Sequence, residues 1–185
     1  MKITNPIEDI SFANYDKKKY YAQIYGFNCG DPNINKFLTE AARHVCTTKL
    51  VFIGDELAAF VSYNCCSFEE IKNDDSSSLE VENVPAIEIK VYAVDLKFQH
   101  ERCLVSMEND RFEKFSHFIF SYYLLMLQEI AQNYIAASYF IVFSKKEKSS
   151  FLEKQGFKSM IDNFQPHVNK FEKNCTPMFA KIPKL

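Results

Sequence analysis

The chain has 185 residues, hydrophobic side chains make up 47% of it, and 22 basic against 24 acidic side chains give a formal charge of -2. This composition excludes an intrinsically disordered protein, and the length is typical of a single domain over 1–185. The near balance of charge gives no strong nucleic-acid signal and no membrane signal, so we expect a small-molecule or peptide partner.

The first half of the chain predicts a helix and a hairpin. Turn residues at 30–32 precede apolar side chains at helical spacing, which predicts a helix over 32–44. Two β-rich runs, 49–53 and 57–66, flank a Gly-Asp-Glu turn and predict an antiparallel hairpin. The polar, serine-rich segment 69–83 is predicted to be a mobile loop.

A central strand is predicted over 86–94. Its alternation gives one apolar face, and the opposite face carries Glu88, Lys90, Tyr92 and Val94. The pattern therefore indicates a strand that directs ionisable groups toward a ligand or a partner.

The second half predicts an irregular stretch at 96–114 and then a helix over 115–131 that is apolar nearly all round, as expected of a buried helix. Ser116 is its candidate N-cap. Three more elements are predicted after it: a strand at 137–143, a short helix at 146–155 that ends at Gly156, and a strand at 177–182. This order predicts a mixed α/β (α+β) sheet flanked by helices.

The cysteines and the termini bear on the cellular compartment. The six cysteines, at 29, 46, 65, 66, 103 and 175, form no CxxC pair and have no histidines at zinc-finger spacing. The sequence therefore predicts no metal site and no disulfide framework, and most of these cysteines are expected to be small core residues. With no signal peptide and no apolar span of membrane length, the expected location is cytoplasmic.

Four segments in this order resemble the GNAT acyltransferase superfamily. Phe27-Asn28-Cys29-Gly30, with the apolar helix after it, is similar to the opening of the toxin-like GNAT branch. Segment 84–95, which ends in Ala-Val-Asp, looks like the family's fourth strand. Segment 149–157 is similar to the helix-to-strand signature that ends in Gly-Phe, and 175–179 is similar to the last strand of some bacterial members. The resemblance implies a mostly antiparallel sheet in a GNAT-like acyl-CoA N-acyltransferase fold.

The resemblance also implies acetyl-CoA as the co-substrate. In the family, main-chain groups of the fourth strand bind the pantetheine, and the matching positions here are Tyr92, Ala93 and Val94. A Gln/Arg-x-x-Gly-x-Gly/Ala loop then cradles the pyrophosphate, because glycine allows the backbone to approach closely. The matching stretch 99–104 has no glycine, and none lies anywhere between Gly54 and Gly156.

Without that loop, the start of the following helix is the remaining candidate phosphate site. The free amides near Ser116, His117 and Phe118 could attract a phosphate, and Arg102 could add positive charge. The alternative interpretation is that the basic side chains only solvate a surface loop and that His117 packs like any other residue.

For proton transfer, the resemblance directs attention to two positions. Glu88 on the predicted central strand is the candidate catalytic base for an amine nucleophile; its alternative role is an ion pair with Lys90 on the same face. Many family members use a tyrosine in the Phe-Tyr-Glu helix to reprotonate coenzyme A, but Leu152 stands at the matching position and cannot donate a proton.

Two hypotheses follow. The first is an N-acetyltransferase that acts on an amine of a small molecule or a protein. The second is a catalytically degenerate GNAT-fold protein that binds acyl-CoA or a protein partner. The toxin-like opening suggests an aminoacyl-tRNA amine, whereas the mildly acidic charge argues against that acceptor. The abundance of aromatic residues is compatible with a homodimer.

Overall fold

The computed structural model describes residues 10–73, 79–106, 111–160, 164–165 and 175–183. The helices are α1 (Tyr21–Gly26), α2 (Pro32–Thr39), α3 (Phe115–Ile130) and α4 (Ser149–Lys154). The strands are β1 (Ile10–Asn14), β2 (Thr47–Ile53), β3 (Glu56–Asn73), β4 (Leu79–Val94), β5 (Arg102–Ser106), β6 (Arg111–Lys114), β7 (Tyr139–Lys145), β8 (Lys158–Ser159), β9 (Phe164–Gln165) and β10 (Cys175–Lys181).

The main sheet has the strand order β1-β2-β3-β4-β7-β10-β8, and β9 pairs with β3. Strands β1 and β2, β2 and β3, β7 and β10, and β10 and β8 are antiparallel, whereas β4 and β7 are parallel. Strands β5 and β6 form a separate antiparallel hairpin. The predicted mixed, mostly antiparallel sheet flanked by helices is confirmed.

The chain forms two compact units, Met1–Tyr63 with Lys90–Tyr123, and Asn64–Ile89 with Leu124–Leu185. The first unit has its own apolar core, which includes Ile24, Phe27, Leu38, Leu50, Phe52, Leu57, Phe60 and Ala93. The second unit has a separate cluster made of Phe68, Val84, Ala86 and Ile141.

Helix α2 begins where the sequence places a strong start signal. The Asp31 carboxylate accepts the amides of Asn33 and Ile34 at 2.9 and 3.4 Å, and Pro32 occupies the first turn, where its missing N–H costs nothing. The α-helix ends at Thr39, and a single 3₁₀ turn, Ala41–Arg43, continues it. The predicted helix over 32–44 is therefore confirmed in these two parts.

The predicted hairpin is also confirmed, since β2 pairs with the first part of β3 across a turn at Gly54, whose φ is +56°. The predicted loop at 69–83 is wrong where the structure describes it, because β3 continues to Asn73 and β4 begins at Leu79. Polar side chains do not prevent backbone pairing, and Glu69 and Glu70 pair with β9. Residues 74–78 lie outside the described residues.

The predicted irregular stretch at 96–114 is confirmed over 96–101 and wrong over 102–106 and 111–114, which form the strands β5 and β6. Residues 107–110 lie outside the described residues. The predicted helix 115–131 is confirmed as α3, followed by a π-helical turn over Ala131–Ile135. The expectation that this helix is buried on all sides is wrong, because Tyr122 and Leu125 are 45% and 65% exposed. Apolar composition alone does not decide which helix face is covered. No described helix is long and apolar enough to span a membrane.

Candidate active site

The candidate base Glu88 lies on β4, in the stretch that pairs in parallel with β7, opposite Ile141. Glu88 is only 7% exposed and lies between buried apolar residues of the strand. Lys90, two residues later, is exposed. A carboxylate is a residue type that can accept a proton from an amine, directly or through water. The role of Glu88 as a catalytic base stays a prediction.

A side-chain hydrogen bond joins the end of β4 to helix α3. Ala93 and Val94 are buried, and the Tyr92 hydroxyl donates to the Ser116 carbonyl at 2.6 Å. Burial raises the pKa of the Tyr92 hydroxyl well above its ordinary value, with a smaller contribution from Cys103. Tyr92 therefore acts as a neutral hydrogen-bond donor that joins the strand to the first turn of α3.

A buried carboxylate organises the turn that follows β4. Asp95 is 5% exposed and accepts the amides of Asn28 at 2.7 Å and Lys97 at 3.0 Å. The Leu96 amide in turn donates to the Asn28 carbonyl at 2.8 Å. Hydrogen bonds thus join two segments that were identified separately in the sequence, Phe-Asn-Cys-Gly and Ala-Val-Asp, into one unit.

Gln99 stands at the position where the family's phosphate loop would begin, and its side-chain amide makes hydrogen bonds within the protein. Its Nε2 donates to the Val94 carbonyl at 2.8 Å and to the Cys29 carbonyl at 2.9 Å. One of the strand carbonyls considered for pantetheine is therefore already a hydrogen-bond acceptor. The side chain closes the turn around the end of β4 and does not point a donor at a ligand.

The hairpin of β5 and β6 leads directly into α3 in place of a glycine loop. The first amide of the helix, that of Phe115, donates to the Glu101 carbonyl at 2.9 Å. Ser116, His117 and Phe118 belong to the first turn of α3, at the end of the helix where its dipole is positive. Ser116 lies inside the first turn, so its prediction as the N-cap is wrong.

Charges of both signs surround this helix start. Arg102 and Lys114 are exposed and face each other across the hairpin. Burial raises the pKa of the Cys103 thiol to about 11, and Glu113 and Glu101 add to the shift. The same two carboxylates would oppose a phosphate, so the hairpin is a weaker anion site than an open glycine loop.

The structure offers no tyrosine at the position where the resemblance expects a general acid, because Leu152 stands there and is buried. The Ser144 hydroxyl, on β7, donates to the Lys145 carbonyl at 2.9 Å. The Tyr139 ring packs edge-on against Phe68 and Phe179. These contacts give Ser144 and Tyr139 structural roles.

The burial of the cysteines differs from the prediction. All six are described, none is in a disulfide, and Cys103 is the one buried member, so the expectation that most are core residues is wrong. Cys29 illustrates the reason, since its thiol packs at a turn and donates to Asn35 Oδ1 at 3.2 Å. Small size suits a cysteine to tight turns as well as to cores.

The fold was compared with known proteins. No protein-family model and no curated protein matches the sequence, but many solved structures match its fold. A structure described as a bacterial toxin is 18% identical, with 94% of this chain and 90% of that chain covered and a TM-score of 0.67. The AtaTR complex bound with acetyl-CoA is 12% identical, with 95% of each chain covered and a TM-score of 0.68. The chain has the GNAT fold.

A further match is AtaT complexed with acetyl-methionyl-tRNA, at 15% identity, with 91% of this chain and 94% of that chain covered and a TM-score of 0.55. AtaT in that structure is thus bound to a nucleic acid. At these levels of identity the likeness establishes the GNAT fold of the chain.

Proposed function

We propose that the protein transfers an acetyl group from acetyl-CoA to an amine of a small-molecule, peptide or aminoacyl acceptor. The observation that carries the proposal is the buried Glu88 carboxyl on β4 of a GNAT fold. The proposal takes residues 1–185 as one GNAT-like domain that works in the cytoplasm, where acetyl-CoA is available.

In the proposed step, Glu88, directly or through a water molecule, takes the proton that the amine must lose. The amine nitrogen attacks the thioester carbonyl, the new C–N bond forms, and the C–S bond breaks with release of the coenzyme A thiolate. The thiolate then takes up a proton. Leu152 cannot supply that proton, so it comes from solvent.

The chain's own residues fit the two ends of acetyl-CoA unequally. The main chain of Tyr92, Ala93 and Val94 is proposed to bind the pantetheine, and the positive end of α3, at Ser116, His117 and Phe118, the pyrophosphate. Arg102 supplies positive charge at that end. Because the glycines are missing and the Phe115 amide is already used, we expect acetyl-CoA to bind more weakly than it does to a GNAT protein with the glycine loop.

A ligand-induced thermal shift tests binding, because a ligand that binds the native state alone raises apparent stability. We expect a rise in Tm at millimolar acetyl-CoA. A thiol-detecting dye then measures coenzyme A release with a panel of primary amines. An aminoacyl-tRNA belongs in the panel, since AtaT is complexed with an acetylated one. Absence of any thermal shift at millimolar acetyl-CoA would contradict the proposal.

A second candidate function is a GNAT-fold binding module without catalysis. Two observations favour it: the hydrogen bonds of Gln99 and Glu101 that occupy groups a cofactor would use, and Leu152 in place of a proton donor. This candidate predicts no coenzyme A release with any amine. The release assay on the wild type, with Glu88→Gln as the control, therefore separates the two functions.

A further inference from the structure

We propose that a lysine-tyrosine surface on the first unit binds single-stranded nucleic acid. The lysine-tyrosine surface consists of Lys17, Lys18, Lys19, Tyr21 and Tyr25. It lies outside the residues considered above for acetyl transfer, so the proposal does not depend on that activity.

The aromatic half of the lysine-tyrosine surface is exposed and pre-arranged. Tyr21 and Tyr25 are 58% and 52% exposed, large fractions for aromatic side chains. They are one helical turn apart on α1, and their ring centroids lie 4.5 Å apart with a tilt of 32°. Ile24 anchors α1 in the core at 1% exposure. Two adjacent rings are thus held toward solvent on a fixed helix.

The basic half, Lys17, Lys18 and Lys19, precedes α1 in the chain. The Lys17 ammonium is 5.3 Å from the centroid of the Tyr25 ring and donates to the Thr39 carbonyl at 2.8 Å, which fixes its position. Lys19 lies 4.9 Å over the Tyr20 ring. Lys18 is exposed. Three consecutive lysines therefore precede the helix that carries the two exposed tyrosines, and the Lys17 ammonium lies against one of them.

One carboxylate, that of Asp16, belongs to this segment. Its Oδ1 accepts the amides of Lys18 and Lys19 at 2.9 and 3.0 Å, and these backbone bonds hold its pKa below the ordinary value. Asp16 therefore shapes the turn that presents the lysines and offsets a part of their charge. The segment stays locally positive although the whole chain carries -2.

This combination matches the chemistry of a single strand. Ammonium groups neutralise phosphates, and aromatic rings stack on bases whose faces are free. A duplex keeps its base faces stacked and would use only the lysines. An acidic peptide would likewise leave the tyrosines unused. The exposed ring pair is what favours a single-stranded oligonucleotide over both.

Fluorescence anisotropy with a labelled oligouridylate of about 12 nucleotides tests the proposal. We expect affinity to fall by roughly 5- to 100-fold in Tyr21→Ala/Tyr25→Ala, the range for loss of base stacking. In Lys17→Gln/Lys18→Gln/Lys19→Gln we expect a weaker salt dependence, with the slope of log K against log salt reduced by about 2. Thermal unfolding of each variant verifies that it is folded.

Matched variants elsewhere control for charge and aromatic content. Tyr134→Ala removes a tyrosine that is 79% exposed, and Lys148→Gln/Lys154→Gln/Lys158→Gln removes three exposed lysines. Both should bind the oligonucleotide like the wild type. The proposal is overturned if the oligonucleotide does not bind at low salt, or if a duplex or polyglutamate competes as well as the unlabelled single strand. It is also overturned if the control variants lose as much affinity as the surface variants.

Discussion

Replacing Asp95 by asparagine should destabilise the protein more than its small size change suggests. The carboxylate is 5% exposed and accepts two backbone amides, from Asn28 and Lys97. Asparagine keeps one acceptor oxygen and turns an NH₂ group toward the other N–H donor. Hydrogen bonds to charged groups contribute about 1.5–3 kcal/mol each, so we expect a loss of about 2–3 kcal/mol in the free energy of unfolding.

Thermal unfolding measures this effect directly. For a chain of this length, that loss corresponds to a decrease in Tm of about 4–12 °C. Asp55→Asn is the matched control, because Asp55 lies exposed in the turn between β2 and β3, and its Tm should stay close to that of the wild type. If Asp95→Asn and Asp55→Asn unfold at the same temperature, the hydrogen-bonded unit around Asp95 does not stabilise the fold as argued.

Three further predictions concern single side chains. Glu88→Gln should lower turnover about 100-fold or more, the usual range for a lost general base, and should leave acetyl-CoA affinity unchanged. Lys90→Met should stay active. An active Glu88→Gln together with an impaired Lys90→Met would instead assign Glu88 to an ion pair. Since burial raises the pKa of Tyr92 above 10.0, its contribution to stability is complete below about pH 10 and is lost as the pH rises further. Urea unfolding of Tyr92→Phe should therefore show a smaller loss of stability from pH 9 to 11 than wild type, and equal losses would disprove this role. Gly156→Ala should lower the free energy of unfolding by about 1–2 kcal/mol, because the φ of +85° strains an alanine. A steric clash does not contribute, since no atom lies within 4 Å of the added Cβ. An unchanged urea midpoint would contradict the strain argument.

Local signals in the sequence were sufficient for several elements. Asp31 and Pro32 mark the start of α2, and Gly156 marks the end of α4, because caps and left-handed turns need particular residue types at particular positions. The alternation over 86–94 located the strand that carries Glu88. In each case the residues that decide the structure are neighbours in the chain.

Contacts between distant residues could not be predicted in this way. Asp95 accepts the amide of a residue 67 positions earlier, and nothing near either residue indicates that pairing. In its polar part β3 pairs at Glu69 and Glu70 with a strand at 164–165, and the strands β5 and β6 likewise form by pairing with each other. The missing glycines indicated an altered phosphate site, but the use of the Phe115 amide by Glu101 required coordinates.

The central claim is that a GNAT fold without the glycine loop still uses acetyl-CoA through Glu88. Its most direct test is coenzyme A release from acetyl-CoA across a panel of amine acceptors, measured in parallel for the wild type and Glu88→Gln at saturating cofactor. We predict release by the wild type with at least one amine and loss of that release in Glu88→Gln, with acetyl-CoA binding preserved in both. Equal release by the two proteins, or no release by a wild type that binds acetyl-CoA, would contradict it.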